Sequence, residues 1–311
     1  MLNLYNKESI IIGVLALALL ATSFTKMVAV HSSQPILSLA KEGEHVRAPD
    51  PFLSVDITAQ AVLVWDIKNN VPLYARNENV QLPLASLSKI MTALIAVEEI
   101  ESKRMITITK DAILQEGDHG LIVGEKWRLK DLIDLTLLTS SNDGAHALAS
   151  VFGEERFNGE QSPTTPFIQK MNQKTWEIGM YQTFFINESG LDVGLEVSGT
   201  YGSARDIVSL MEYILQRYPD LMNATPRALL TTYSLDDTEH NLENTNDIVE
   251  TLPGMIVSKT GFTDLAGGNL AIAFDAGPAR PLITVVLGST EEDRLTDIEQ
   301  LLWASLRFIA R

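Results

Sequence analysis

The spacing of apolar residues changes twice along the chain, and this pattern constrains the fold more than any other feature of the sequence. Short apolar runs bounded by turn residues predict strands toward both ends of the chain. These predicted strands cover residues 61–66, 71–75, 255–257, 270–274 and 282–287. Between and after them, apolar residues recur at helical spacing. The predicted helices cover residues 87–99, 129–138, 145–152, 204–216 and 294–309.

This order of elements predicts an α/β protein of the α+β type. Strands from both ends of the chain combine into one antiparallel sheet, with flanking helices and a helical insertion between its two halves. Lys68-Asn69-Asn70 predicts a hairpin turn between the first two strands, and Gly277-Pro278 a connection between the last two. At 311 residues the chain is long enough to bury a large core.

Charge and cysteine content exclude several kinds of function. The net charge of −16 would repel nucleic-acid phosphates, so nucleic acid is not an expected partner. The chain has no cysteine, which excludes disulfides, thiolate metal sites and cysteine nucleophiles. No metal or other cofactor is expected, because the histidines lack metal-ligand spacing. These histidines are His31, His45, His119, His146 and His240.

The start of the chain predicts export. Lys7 precedes an apolar run over residues 10–24, and Lys26 follows it. The run has the length of a signal-peptide core and is shorter than the roughly 20 residues of a comfortable membrane span. It therefore predicts a cleaved signal or a retained anchor with membrane association through residues 10–24, and either places the remainder in the periplasm or on the outer face of the cytoplasmic membrane. The predicted parts are a signal peptide or anchor over 1–30, a linker over 31–52 and a catalytic domain over 53–311.

Three short motifs contain residues suited to acyl transfer. Ser86-Leu87-Ser88-Lys89 opens a predicted helix, Ser140-Ser141-Asn142 lies in the break between two helices, and Lys259-Thr260-Gly261 follows a strand. Each motif alone is weak, because serine and asparagine commonly cap helices and lysine is commonly a surface residue. In this order they are the S-x-x-K, S-x-N and K-T-G set of penicillin-binding proteins and serine β-lactamases.

The first motif matches the requirements of a serine nucleophile. Residues three apart share a helix face, so Ser86 and Lys89 can meet at its first turn. A serine hydroxyl reacts only when a neighbour takes its proton, and a lysine can do so when it is neutral. Burial and a second cation such as Lys259 would lower the lysine pKa and favour that form. The helix N-terminus also directs backbone N–H groups toward a developing oxyanion.

The sequence resembles the D-alanyl-D-alanine carboxypeptidases among the low-molecular-mass penicillin-binding proteins, from about Asp56 to Arg307. The two segments around the first motifs, residues 83–93 and 137–145, are similar to those of the family. Further matching segments cover residues 187–192, 203–206, 244–246 and 259–263. Ser141 replaces the usual glycine of the second motif, and Phe262 stands where histidine or tyrosine is frequent.

The resemblance implies a role for each residue of the motifs and a penicillin-binding-protein/serine β-lactamase-like fold. Ser86 attacks, Lys89 activates it, Ser140 passes a proton to the leaving amine, and Asn142 binds the substrate amide and holds the lysine. The implied substrate-binding residues are Lys259 and Thr260 for a carboxylate, Gly261 for close approach, and Phe262 through its backbone N–H.

The implied activity is removal of the terminal D-alanine from peptidoglycan stem peptides through an acyl-enzyme, with β-lactams as inhibitors that acylate the same serine. Three alternatives stay open: a serine β-lactamase, a peptidoglycan DD-endopeptidase and a catalytically silent cell-wall-binding protein. The intact motifs count against the last. The segment 188–192 superficially resembles the Glu-x-x-Leu-Asn stretch of class A β-lactamases, but Asn187 and residues 203–206 match the carboxypeptidases instead.

Overall fold

The computed structural model describes residues 49–117, 120–154 and 162–311. The predicted signal peptide or anchor and the predicted linker as far as residue 48 lie outside these ranges. The described part begins with a short 3₁₀ helix, Pro51–Ser54, capped by the Asp50 side chain. Phe52 packs on Tyr74 and Phe308 with ring centroids 5.4 and 5.7 Å apart, so the packed domain already begins at the end of the predicted linker.

The elements of the described ranges follow an order expected for an α+β domain. The strands are β1 Ala61–Asp66, β2 Val71–Arg76, β3 Leu82–Pro83, β4 Met105–Thr107, β5 Lys126–Arg128, β6 Phe184–Phe185, β7 Thr200–Gly202, β8 Leu229–Tyr233, β9 Glu239–Glu243, β10 Met255–Thr263, β11 Gly267–Asp275 and β12 Pro281–Ser289. The helices are α1 Ser88–Glu99, α2 Leu129–Leu138, α3 Asn142–Glu154, α4 Thr165–Glu177, α5 Ala204–Arg217 and α6 Asp293–Ile309.

Five strands form one antiparallel sheet in the order β10-β11-β12-β1-β2. The central pairing joins the first strand of the domain to its last, with Ala61 opposite Leu287 and Asp66 opposite Leu282. The predicted antiparallel sheet built from both ends of the chain is therefore confirmed. Because β10 is the terminal strand on one side, its outer edge is available for contacts other than sheet pairing.

Both faces of the sheet are covered, which explains why the strands are continuous apolar runs. Alternate residues point to opposite faces of a strand. In β1, Leu63 belongs to the large core formed with helices of the insertion, whereas Val62 and Val64 belong to a second core with α6. The closing helix contributes its apolar side to this second core through Ile298, Leu301, Leu302 and Ala304.

The helical insertion lies between β2 and β10, and α1 is its central element. The predicted span of α1 differs from the observed one by a single residue, and every residue from Ser88 to Ala96 is buried. Three small antiparallel sheets, β3-β7-β6, β4-β5 and β8-β9, accompany these helices. No helix in the described ranges is long and apolar enough to cross a membrane.

Two of the predicted boundaries that were wrong affect the motifs. The helix α3 begins at Asn142 rather than near Ala145, because the Ser141 hydroxyl accepts a hydrogen bond from Gly144 N at 3.0 Å and supports the first turn. The strand β10 continues to Thr263, so Lys259-Thr260-Gly261 lies within the strand and does not follow it. Pairing with β11 extends β10 through this polar stretch.

The buried carboxylate of Asp297 in α6 joins the closing helix to the sheet. It accepts hydrogen bonds from Thr58 N and Ala59 N at 2.9 Å and from Ser289 Oγ at 2.8 Å. We expect Asp297→Asn to lower the free energy of unfolding by about 2–3 kcal/mol, because the amide nitrogen cannot accept these bonds. Urea denaturation would measure the loss. The control is Glu299→Gln, an exposed position on the same helix, and an equal effect of both changes would contradict the prediction.

Candidate active site

Ser86 lies in a tight turn that is enclosed by backbone on two sides. It is the middle residue of a 3₁₀ helix, Ala85–Leu87, directly before α1. Gly190 has a φ of +82°, and a Cβ there would lie 2.0 Å from the Ala85 carbonyl oxygen, so only glycine fits this approach. A Cβ at Gly261 would lie 3.1 Å from Ser86 N. The nucleophile turn is thus held between the segment around Gly190 and the strand β10.

The amino group of Lys89 is fully buried and makes three hydrogen bonds. It donates to Ser86 Oγ at 2.8 Å, to Asn142 Oδ1 at 2.7 Å and to the Ser189 carbonyl at 2.8 Å. These acceptors use all three N–H donors of the ammonium form. The predicted contacts of Lys89 with Ser86 and Asn142 are therefore present.

Burial gives Lys89 the protonation behaviour that a base needs. Loss of solvation disfavours the ammonium form and lowers the pKa of Lys89 to about 7, while the Glu188 charge acts in the opposite direction. A lysine with this pKa is about half neutral near pH 7 and can take a proton from the Ser86 hydroxyl. Burial is the largest cause of the lowered pKa of Lys89, and the positive charges of Lys89 and Lys259 repel each other.

The second motif is placed by a strained turn between α2 and α3. Ser140 has a φ of +63°, a left-handed conformation that is rare for serine and frequent at functional sites. Asn142 opens α3, and its Nδ2 donates to the Glu116 carbonyl at 2.7 Å. This bond fixes the side-chain amide so that Oδ1 faces Lys89. The turn therefore brings both predicted polar residues to the site.

The third motif contributes a second buried lysine. Lys259 Nζ donates to Ser140 Oγ at 2.9 Å and to the Thr260 carbonyl at 2.8 Å. Burial, and then the positive charges of Lys89 and Arg294, hold the pKa of Lys259 well below its usual value. The two serines of the site are thus each hydrogen-bonded by a buried lysine.

The end of β10 approaches the nucleophile turn along its open edge. A Cβ at Gly261 would lie 3.0 to 3.2 Å from backbone atoms of Leu84, Ser86 and Leu87, so this glycine permits the approach. Phe262 exposes 43% of its surface, as expected if only its backbone serves the chemistry. Arg294 of α6 donates a hydrogen bond to the Gly261 carbonyl at 3.0 Å, which connects this part of β10 to the closing helix.

A cleft of about 510 Å³ adjoins this strand end. Its lining combines apolar groups such as Leu191 and Phe262 with carboxylates, among them Asp192. Asp192 accepts hydrogen bonds from Thr263 Oγ1 and Leu265 N at 3.1 and 3.3 Å, and these bonds join two segments of the cleft lining. In the described ranges, no group of acidic, histidine or cysteine side chains is arranged to hold a metal ion.

Several residues of the site were not predicted as such from the sequence. The carbonyls of Ser189 and Glu116 hold Lys89 and Asn142, and Arg294 holds Gly261. The Thr260 hydroxyl is hydrogen-bonded to that of Thr245. The family-like segments that contain Ser189 and Thr245 were the only available signal, and they did not specify these contacts.

Comparisons with known proteins agree with this geometry. The family model described as D-alanyl-D-alanine carboxypeptidase matches residues 44–291. The carboxypeptidase DacF of Bacillus subtilis is 28% identical over 271 residues, covering 82% of this chain and 66% of DacF. A D-alanyl-D-alanine endopeptidase of Haemophilus influenzae is 30% identical over 223 residues, covering 68% of this chain and 69% of that protein. Penicillin-binding protein D2 of Listeria monocytogenes, solved with cefotaxime bound, matches with a TM-score of 0.67 and 26% identity. The match covers 81% of this chain and 98% of the Listeria chain.

The chain therefore belongs to the D-alanyl-D-alanine carboxypeptidase family of serine peptidases. The predicted family, the penicillin-binding-protein fold and the enzyme class are confirmed. The roles of the individual side chains stay predictions.

The pH dependence of acylation tests the state of Lys89. Only neutral Lys89 can accept the Ser86 proton, and its neutral fraction rises as the pH passes upward through about 7. We expect the rate of covalent labelling by a fluorescent penicillin to rise with pH and to reach half its plateau near that value. Time-resolved gel fluorescence across the range gives the profile. A rate that is constant through this range would contradict the assignment of Lys89 as the base.

A second prediction concerns the approach of β10 to the nucleophile turn. Gly261→Ala places a methyl group against three backbone atoms and should push the strand away from Ser86. We expect acylation to slow by about tenfold or more, because a displaced strand no longer aligns the reacting groups. The matched control is Gly194→Ala, where a Cβ meets no atom within 4 Å. Equal acylation rates for the two variants would rule out this role of Gly261.

Proposed function

We propose that the protein removes the terminal D-alanine from peptidoglycan stem peptides as a serine D-Ala-D-Ala carboxypeptidase. The observation that carries the proposal is the 2.8 Å hydrogen bond between Lys89 Nζ and Ser86 Oγ at a fully buried lysine. A nucleophile and its base in contact, with the base held by two further acceptors, is the arrangement that covalent catalysis requires. Family membership supplies the substrate class.

In the acylation step, Ser86 Oγ attacks the carbonyl carbon of the penultimate D-alanine, and its proton moves to neutral Lys89 Nζ. The tetrahedral intermediate then loses the C–N bond, and the departing nitrogen receives a proton through Ser140. Ser140 can act as this donor because Lys259 Nζ lies 2.9 Å from its hydroxyl and can replace the proton. The products are free D-alanine and an ester on Ser86.

Binding of the substrate is assigned to the open edge of β10. The backbone N–H groups of Ser86 and Phe262 would stabilise the oxyanion, which is the usual contribution of such donors to acyl transfer. The Lys259 and Thr260 side chains would bind the terminal carboxylate of the peptide. A peptide lying along the strand edge makes backbone hydrogen bonds there, as in other cases of strand addition.

Deacylation completes the cycle with the same base. Lys89 first loses the Ser86 proton to solvent, and Lys259 regains the proton that it supplied. Water then attacks the ester carbonyl and neutral Lys89 takes its proton. Lys89 returns this proton to Ser86 Oγ as the acyl C–O bond breaks, and the shortened peptide leaves as a free carboxylic acid. A β-lactam would acylate Ser86 in the same way, and cefotaxime is bound in the related Listeria protein. The ring-opened acyl group stays attached to the enzyme, so its hydrolysis is expected to be slow.

A DD-endopeptidase activity is the second candidate. Its support is the set of relatives named D-alanyl-D-alanine endopeptidase, including the Haemophilus protein at 30% identity. The β-lactamase alternative has less support, because a class A β-lactamase would need Glu188 as the base on the deacylating water. The Glu188 carboxylate is instead hydrogen-bonded with His146 at 2.8 Å.

Wall-acting enzymes of this family work outside the cytoplasmic membrane, and we infer the same location for this chain. We propose that the apolar run over residues 10–24 directs export and either is removed or stays as an anchor. An alkaline wash of membranes separates the two cases, because an anchor resists it and a loosely bound protein is released.

Ser86→Ala tests the proposed function directly. We expect the variant to lose covalent labelling by penicillin and to release no D-alanine from a diacetyl-Lys-D-Ala-D-Ala peptide, with an unchanged melting temperature. The control is Ser102→Ala, an exposed position expected to behave as the wild type. Unchanged labelling of Ser86→Ala would reject Ser86 as the nucleophile.

Mass spectrometry of defined muropeptides then separates the candidate activities. A carboxypeptidase shortens pentapeptide stems by one D-alanine, an endopeptidase converts cross-linked dimers into monomers, and a silent binding protein changes neither. Rapid turnover of penicillin by the wild type without attack on either muropeptide would identify a β-lactamase and overturn the proposal.

A further inference from the structure

One buried pair beside the site has no part in the proposed chemistry. The Glu188 carboxylate, 4% exposed as a residue, lies 2.8 Å from Nδ1 of His146. The side chains of the pair are 6% and 17% exposed. A carboxylate removed from water requires partners, so this contact connects the two residues firmly. The pair lies between two segments that both reach Lys89.

Each member of the pair belongs to a segment that holds the base. Glu188 immediately precedes Ser189, whose carbonyl accepts from Lys89 Nζ at 2.8 Å. His146 lies one helical turn after Asn142 on α3, so the two share a face of that helix. Asn142 Oδ1 accepts from Lys89 Nζ at 2.7 Å. The Glu188–His146 contact therefore joins the two segments that supply two of the three acceptors of the lysine.

The segment around Glu188 is also fixed to α1 independently of its side chain. The Glu188 carbonyl accepts a hydrogen bond from Thr92 Oγ1, one turn after Lys89. Asn187 Oδ1 accepts from Gly190 N at 2.7 Å, and its Nδ2 donates to the Leu191 carbonyl at 2.8 Å. With the backbone held in this way, replacement of the Glu188 carboxyl by an amide changes the charge and leaves the loop in place.

The charged groups around Lys89 come from several elements. Glu188 lies on the loop before Ser189 and is hydrogen-bonded to His146 of α3, whereas Lys259 lies on β10 and interacts with the charges of Lys89 and of Arg294 on α6. Burial and then the charges of Lys89 and Arg294 lower the pKa of Lys259. Among these groups Glu188 acts on Lys89, and its negative charge opposes the effect of burial on the pKa of that lysine.

We propose that Glu188 and His146 are positioning residues for Lys89: their contact fixes the two segments that hold the amino group and keeps a negative charge beside it. The inference rests on the proposed function, in which Lys89 takes the Ser86 proton. A nearby carboxylate stabilises the ammonium that forms in that step, so Lys89 becomes a stronger base. His146 keeps the carboxylate in position by hydrogen bonding.

The pH profile of acylation in Glu188→Gln tests the charge. Without the carboxylate, the ammonium form of Lys89 is less favoured, and the neutral form persists to lower pH. We expect the midpoint of the acid limb to fall by about one pH unit relative to the wild type, as for loss of a close opposite charge. The plateau rate should fall as well, because the base is weaker.

Glu98→Gln is the matched control. Glu98 is on the same helix as Lys89, and its carboxylate is also mostly buried and paired, with Lys174 Nζ at 2.7 Å. Glu98→Gln should lower the melting temperature and leave the pH midpoint of acylation unchanged. A midpoint of Glu188→Gln that equals that of the wild type, or lies above it, would overturn the proposal even if the melting temperature falls.

Two variants of His146 test positioning. His146→Leu removes the hydrogen-bond partner of Glu188 and should slow acylation by about tenfold, because the acceptors of Lys89 lose alignment. His146→Gln keeps a donor and should restore most of that rate. Equal rates for both variants would overturn the role of His146. Loss of this inference is distinguishable from loss of the proposed function, because labelling would still depend on Ser86.

Discussion

The burial of the Lys89 amino group is the constraint on which the site depends. A lysine removed from water is costly, and its three acceptors come from the nucleophile turn, from α3 and from the loop at Ser189. The nucleophile turn in turn lies close against the backbone at Gly190 and Gly261. Much of the local architecture serves to exclude the Lys89 amino group from water and to satisfy its three hydrogen bonds.

The positive charges of Lys89 and Lys259 repel each other, and this repulsion contributes to the lowered pKa of Lys259. Burial first, and then the positive charges of Lys89 and Arg294, lower the pKa of Lys259. Lys89, with a pKa of about 7, can therefore exchange protons at neutral pH although a lysine is ordinarily a fixed cation. Such an arrangement destabilises the empty enzyme and is expected to be compensated by packing elsewhere, as in the two apolar cores of the sheet.

The sequence predicted those parts of the molecule that depend on local geometry. Ser86 and Lys89 meet because they are three residues apart at a helix start, and this spacing is visible without a structure. The end of β10 was not visible, because its polar residues form a strand only through pairing with β11. Arg294 and the Glu188–His146 pair act across the fold, and no local pattern marks contacts between residues so distant in sequence.

The pairing of β1 with β12 has a consequence for the order in which the protein matures. The nucleophile comes from the first half of the domain and Lys259 from the last strands, so the site cannot exist before the C-terminal strands have been synthesised and have closed the sheet. Such long-range pairing is slow to form, since the chain must lose much of its freedom before the contacts stabilise it. A chain emerging unfolded across a membrane would thus stay chemically inert until folding is complete. A β-lactam would then react covalently only with fully folded molecules.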